Sequence, residues 1–265
     1  MNCLAIVQAR MSSSRLPKKV MAKLSGVPMI KHIYDLCKNC NYVDDVIVAT
    51  SVEQSDDELF EYCVKNKIKI YRGSLENVLS RFVAIINKYN PKFVVRITGD
   101  CPFIYPTFID KQIKIMTESN ADFVKTFNEA NILCGQGVHS AESLSNILEN
   151  SNDLNDFEHV GSPYLNENHH KFKIVGLSIP KILENCKYRL TVDEKEDLKI
   201  AKIIYENLWQ NKPVDLISVI NWLDSHPEIA KLNFFVNESS INKSIKLLKE
   251  NTSYKIINFY KWDEI

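Results

Sequence analysis

Glycine is scarce in this chain, with seven in 265 residues. The first apolar segment, residues 4–8, is not followed by the G-x-G-x-x-G turn that lays a helix N-terminus against a dinucleotide pyrophosphate. That disfavours a dehydrogenase. Net charge is missing as well. Thirty-three Lys and Arg balance thirty-three Asp and Glu, so no global basic field points to nucleic acid or to an anionic membrane surface. Any anion site must be local. No apolar run approaches the length of a membrane span. Paired metal-ligand cysteines are lacking too. Of seven cysteines, Cys37 and Cys40 form a C-x-x-C pair in a helical context with no second pair, which reads as buried or idle thiols rather than half a zinc site. The odd count and the lack of a signal sequence predict a reducing cytoplasm. No internal repeat or low-complexity linker divides the chain.

What is present is an ordinary globular composition, 45% apolar and 25% charged, with strand and helix patterns alternating along the first half. Strands are predicted over 4–8, 43–49, 68–71 and 93–97, and helices over 28–37, 56–66 and 76–88. Continuous apolar strands between amphipathic helices predict an α/β fold, with a mostly parallel sheet covered on both faces and ligands at the strands' carboxyl ends. The second half is less regular. Strands are predicted over 121–125 and 172–177, helices over 193–207 and 214–224, and then a polar tail carrying a helix over 239–250 and a strand over 254–260. The simplest organisation is one domain over 1–227 with a C-terminal appendage over 228–265.

Residues 3–19 carry the first chemical signal. A buried strand runs into a hydroxyl-rich loop, Ser12-Ser13-Ser14, flanked by Arg10, Arg15, Lys18 and Lys19. Such a loop presents backbone N–H donors and fixed cations at one point, as a polyphosphate requires. It also fits an ordinary solvated basic turn. The second signal is Thr98-Gly99-Asp100-Cys101-Pro102, a carboxylate just beyond a buried strand and behind a glycine. Asp100 there suits either a divalent metal, which takes carboxylates together with phosphate oxygens, or a turn cap beside Pro102. The third is Asp193, where a short apolar segment meets a helix. It reads as an N-cap completed by Glu196 in a capping box, or as a second metal carboxylate.

In this order the segments Gln8-Ala9-Arg10-Met11-Ser12-Ser13-Ser14-Arg15-Leu16-Pro17, Val48-Ala49-Thr50-Ser51, Tyr71-Arg72-Gly73-Ser74, Val78-Leu79-Ser80-Arg81, Arg96-Ile97-Thr98-Gly99-Asp100-Cys101-Pro102, Glu158-His159-Val160 and Thr191-Val192-Asp193 carry a resemblance. The chain resembles the cytidylyltransferases of the spore coat polysaccharide biosynthesis protein F type. Those are relatives of the enzymes that activate 3-deoxy-manno-octulosonate and sialic acids as CMP sugars. The match spans roughly residues 3 to 210. It implies a nucleotide-diphosphosugar-transferase fold, a Rossmann-like mixed but mostly parallel sheet with helices on both faces, so that residues 1–227 form a nucleotidyltransferase domain. It also implies a nucleotide site made of Ala9, Arg10, Ser12, Ser13, Ser14, Arg15, Lys19, Arg72, Ser74 and Thr98. Arg10, Lys19 and Asp100 are the catalytic candidates, and Asp100 and Asp193 the Mg²⁺ carboxylates. The implied reaction is attack of an acceptor oxygen on the α-phosphorus of CTP with loss of pyrophosphate. A homodimer is implied too, with no nucleic acid or membrane partner.

Two departures stand out. Lys18 replaces a usual glycine and is expected to face solvent. At Cys134-Gly135-Gln136-Gly137-Val138-His139-Ser140, relatives directed to sugars show a Gly-Leu-Asp-Val-Glu type of segment on the acceptor side. Here Gly137 and His139 stand in for both acids. An imidazole in place of two carboxylates predicts a less negative pocket and an anionic acceptor, such as an acidic sugar, phosphonate or phosphate. A drifted loop gives the same pattern. Gln136, His139, Glu158, His159 and Arg189 are the acceptor-side candidates. Use of another nucleotide, or binding without catalysis, are the alternatives.

Overall fold

The computed structural model describes residues 2–127, 131–133, 135–184, 186–233 and 256–265. The helix expected over 239–250 lies outside them. Eight strands form the main sheet: β1 (Cys3–Gln8), β4 (Asp45–Ser51), β5 (Lys69–Gly73), β6 (Phe93–Thr98), β7 (Phe123–Phe127), β8 (Gln136–Ser140), β9 (Ile174–Ser178) and β10 (Ile256–Tyr260). Lys23–Leu24 (β2) and Val27–Pro28 (β3) make a small separate hairpin. The order across the main sheet is β10-β9-β7-β8-β6-β1-β4-β5. Strand β1 pairs in parallel with β4 and β6, and β4 with β5. Strands β7, β9 and β10 are parallel to one another. Strand β8 is antiparallel to both β6 and β7, the one reversal among the described strands of the main sheet.

The main helices are α1 (Met29–Lys38), α2 (Asp57–Lys65), α3 (Val78–Tyr89), α4 (Pro106–Ser119) and α5 (Ala141–Asn150). The short α6 (Leu154–Glu158), α7 (Ser162–Glu167) and α8 (Lys181–Glu184) lead to α9 (Lys195–Leu208) and α10 (Leu216–Ser225). Along β1 the side chains alternate. Cys3, Ala5 and Val7 pack with α1, α4, α9 and α10, while Leu4 and Ile6 pack with α3 and α5. Both faces are therefore dry, which is why the strand reads as an unbroken apolar run.

Helix α3 begins at Val78, two residues later than expected, because Asn77 Oδ1 accepts the Ser80 N–H at 2.8 Å and fixes the first turn. Helix α9 begins at Lys195 rather than Asp193. Its capping box pairs Glu194 with Asp197, not Asp193 with Glu196. That frees the Asp193 carboxylate for other work. Helix α4 and strand β8 are not evident from periodicity and are additions to the expected pattern.

Candidate active site

The carboxyl ends of β1 and β6 lie side by side, and the loops that leave them form a cleft of about 390 Å³. Close approach makes this possible. The Gly99 N–H donates to the Gln8 carbonyl at 2.8 Å, and a side chain at Gly99 would meet that same oxygen at 2.8 Å. The loop after β1 is fixed from below. Asp56, fully buried, accepts the Met11 N–H at 2.7 Å and the Thr50 and Ser51 hydroxyls. The loop then closes where the Lys18 N–H meets the Met11 carbonyl at 2.8 Å.

That closure aims Lys19 inward. Its ammonium lies 2.8 Å from Asp100 Oδ2 and 2.9 Å from Asp193 Oδ1. Two carboxylates, 93 residues apart in sequence (193 − 100), thus share one buried cation. They are brought together by backbone, since the Val192 N–H donates to the Asp100 carbonyl at 2.8 Å. Asp193 is held on every side. Arg15 Nη2 sits 2.8 Å from Oδ1, and Arg189 Nη2 lies 2.9 Å from Oδ2. Arg189 is itself anchored on buried Asp197 at 3.1 Å.

The electrostatics follow from these contacts. Burial alone would favour neutral Lys19, but Asp100 and Asp193 outweigh it and raise its pKa. Burial alone would raise Asp193, but Lys19, Arg15 and Arg189 hold it below the ordinary carboxylate value. Lys19 and Asp193 are therefore both charged at neutral pH.

Of the residues singled out in the sequence, Ala9, Arg10, Ser13, Ser14, Arg15, Lys19, Thr98, Asp100, Asp193, Glu158 and His159 line this one cleft. Arg10 reaches Glu158 Oε1 at 3.3 Å across its exposed mouth. Burial and Arg96 favour the neutral imidazole of His159 over the opposing pull of Glu158. Ser12 lies outside the lining. So does Arg72, whose guanidinium donates to the Ser51 and Glu53 carbonyls and pairs with Asp57 at 2.8 Å. Ser74 is also outside, its hydroxyl accepting the Asn77 N–H. Arg189 stands behind Asp193 rather than in the cleft. Exposed Lys18 pairs with Glu58.

A smaller cavity of about 190 Å³ adjoins the cleft through Arg96, which lines both. Gln136, Gly137 and His139 line it, with Phe108, Gln112 and Phe123. Cys134 is outside the described residues. Gln136 is buried and spends its side-chain carbonyl on the Tyr105 N–H at 2.7 Å. His139 is buried against Phe123, its ring 4.9 Å away. Burial, aided by Arg96, pushes its pKa down to about 3. The imidazole is therefore neutral. Among the described residues no carboxylate lines this cavity, and its cations are Arg96 and Lys125, not His139.

The sequence model of a family described as cytidylyltransferase matches residues 4–250. The chain belongs to the cytidylyltransferase family. It is 33% identical over 242 residues to an uncharacterized protein of Methanocaldococcus jannaschii, covering 91% of this chain and 98% of that one. It is 29% identical over 231 residues to the spore coat polysaccharide biosynthesis protein SpsF of Bacillus subtilis, covering 86% and 96%. A cytidylyltransferase structure from Leptospira borgpetersenii superposes with a TM-score of 0.78 at 26% identity, over 87% of this chain and 97% of that one.

Within this cytidylyltransferase fold, two cleft residues belong to the segments that carry the resemblance but have no assigned role there. Arg96 follows Val94 on the α3/α5 side of β6, where an apolar residue would be expected, and its Nε donates to Gln8 Oε1 at 3.0 Å. Arg81 sits on the inward face of α3 between Val78 and Phe82. It is buried, lines the cleft and donates to the Ala49 carbonyl at 3.1 Å. Burial lowers its pKa to about 10, with Asp56 opposing and Arg10 adding to the shift. The available signal was the same for both: a cation at a position that periodicity assigns to the core.

Proposed function

We propose that this nucleotidyltransferase joins CMP from CTP to an anionic small-molecule acceptor and releases pyrophosphate. The observation that carries the reading is the Lys19 ammonium bridging Asp100 and Asp193 in a cleft also lined by Arg10, Arg15, Arg81 and Arg96. Phosphoryl transfer asks little covalent help of a protein. It needs neutralised charge and in-line placement. Arg10, Arg15 and Lys19 are placed to grip the triphosphate and to stabilise departing pyrophosphate.

Magnesium fits the same residues. Asp100 and Asp193 offer hard oxygen donors that already converge on one cation, and Asp193 is not consumed as a helix cap. These two carboxylates would hold Mg²⁺ together with phosphate oxygens, and the ion would supply further charge neutralisation at the transferring phosphoryl group. The acceptor enters from the smaller cavity. There Arg96 and Lys125 belong to a lining whose described residues include no carboxylate, which favours an anion, such as an acidic sugar or a phosphonate. Its attacking oxygen bonds to the α-phosphorus as the bond to the pyrophosphate oxygen breaks. An acceptor oxygen that is already ionised needs no base. For a hydroxyl acceptor, the His159 imidazole, held neutral by burial and Arg96, would serve as the general base.

Two assays test the reading. Melting temperature is measured with CTP, UTP, ATP and GTP, each with and without Mg²⁺, because a ligand that binds only the native state raises it. Pyrophosphate release is then measured over keto-acid sugars, phosphonates, phosphorylated small molecules and neutral sugars. The largest shift is expected with CTP and Mg²⁺, and turnover with an anionic acceptor. A shift with another nucleotide alone corrects the base. Binding without turnover marks a non-catalytic protein, and turnover confined to neutral sugars removes the anionic acceptor.

A further inference from the structure

The last ten residues are far from the cleft in sequence yet pack against the wall of the smaller cavity. Strand β10 adds to the edge of the main sheet beside β9. Where the chain leaves β10, the Trp262 N–H donates to Ser178 Oγ at 2.8 Å and fixes the exit. The Trp262 indole then stacks on two residues at the start of α4. Its ring lies 5.9 Å from Tyr105 and 6.4 Å from Phe108, both inclined at 24°. Lys111, one turn further along α4, closes the contact. Its ammonium sits 4.3 Å from the centre of the indole and donates to the Trp262 carbonyl at 2.5 Å and the Ile265 carbonyl at 3.3 Å.

Both residues beneath the indole lead to the cavity. Phe108 lines it directly. Tyr105 reaches it through its backbone, whose N–H bonds to Gln136 Oε1 at 2.7 Å. Gln136 lines the cavity and pairs across β8 with Ile97, one residue before Thr98 of the nucleotide cleft. A second tie runs from the same helix, where Gln112 Nε2 donates to the Gln136 carbonyl at 2.9 Å. The start of α4 is therefore held between the indole on one side and the cavity floor on the other.

We propose that residues 256–265 are a brace that sets the shape of the acceptor cavity, and that Trp262 is its positioning residue. The assignment of that cavity to the acceptor rests on the function proposed above; the bracing itself does not. Trp262 lines neither the nucleotide cleft nor the smaller cavity. It acts through Phe108 and through the Tyr105–Gln136 bond. An ordinary hydrophobic cover at a sheet edge would stabilise the whole sheet without favouring one cavity wall.

Amide hydrogen exchange separates the two roles, measured on the full chain as wild type, Trp262→Ala, Trp262→Phe and Lys111→Met. In Trp262→Ala, exchange is expected to rise about tenfold or more at Phe108–Gln112 and Gln136–His139, and to stay within twofold of wild type in β1 and β4. Trp262→Phe keeps a ring on Tyr105 and Phe108 and is expected to restore most of the protection. Lys111→Met keeps the stacking, loses the carbonyl contacts and is expected to fall between. The thermal shift given by CTP with Mg²⁺ is expected to match wild type in all three. Unchanged exchange around Gln136, or a rise spread evenly over β1, β4 and β8, overturns the brace. A wild-type protein that shows no CTP shift overturns the nucleotide reading and leaves the exchange result to decide the brace alone.

Discussion

Replacing Lys19 by Met tests the centre of the site most directly, because one ammonium serves two carboxylates. Methionine fills a similar volume but brings no charge. Asp193 would keep Arg15 and Arg189, whereas Asp100 would lose its ion-pair partner and face Asp193 across a shared space. Removing one member of a fully buried pair costs about 3–5 kcal/mol. The Asp100 side chain is 26% exposed, so water recovers part of that, and about 2 kcal/mol is expected here. For a chain of this size that is roughly 4–8 °C in melting temperature. The chemical step should suffer more. Loss of one preorganised donor facing developing charge lowers kcat by about 10²–10³.

The pH dependence supplies a control. Lys19 has a raised pKa, so its contribution is complete below its ordinary 10.5 and fades only as pH climbs through the raised value. Asp193 has a lowered pKa, so its contribution is complete above its ordinary 3.8 and fades as pH falls through the depressed value. The stability gap between wild type and variant should thus stay flat from roughly pH 5 to 9 and narrow outside it. Melting curves and pyrophosphate release check both parts. A variant with wild-type turnover, or a gap that changes within that window, refutes the argument.

Asp100→Asn should cut turnover by orders of magnitude while the melting temperature changes little, measured by pyrophosphate release beside a melting curve; unchanged kcat would remove Asp100 from the reaction. Asp197→Ala strips the α9 capping box and the anchor of Arg189 together, and should cost about 2–4 kcal/mol by denaturant unfolding. Gly135→Ala meets two penalties: a backbone φ of +73° and a Cβ placed 2.3 Å from Thr98 Oγ1. About 1–3 kcal/mol is expected by thermal melting. His139 titrates at about 3 against an ordinary 6.5. The unfolded chain therefore takes up a proton below pH 6.5 that the native state refuses, and stability falls with pH by up to about 1.4 kcal/mol per unit. His139→Asn should flatten that slope in melts between pH 4 and 6.5.

The fold was largely legible because its strongest elements obey one local rule each. Strands β1, β4 and β6 are buried on both faces and read as continuous apolar runs; α1 and α3 repeat at helical spacing. Strand β8 is equally buried but contains Gly135's neighbour Gln136, then Gly137 and His139, each matched to a particular partner rather than to a generic core. No local pattern announces such a strand. Helix α4 was hidden for a related reason. It follows the loop after Asp100, and its inward Asp110 and Gln112 interrupt the apolar stripe. Asp110 accepts from the Asn41 and Tyr42 backbones, and Gln112 donates to the Gln136 carbonyl.

The same physics decides what could be read of the site. Asp193 admitted two roles in sequence, cap or ion holder, because a carboxylate at a helix start suits both. Three-dimensional supply resolves the choice: Glu194 and Asp197 complete the cap, so both Asp193 oxygens face cations. In the sequence His139 is the visible replacement for an acid, and it suggests a charge for the smaller cavity that the structure locates elsewhere. Burial makes that ring neutral. Arg96, with Lys125, supplies the positive charge, and it hides in a strand pattern that otherwise spells core. A local sequence pattern can identify which groups are available. Desolvation and neighbouring charge, which require the fold, decide which of them carries charge. Here they move the electrostatic reason for the proposed anionic acceptor from a histidine that burial keeps neutral to an arginine that lines both cavities.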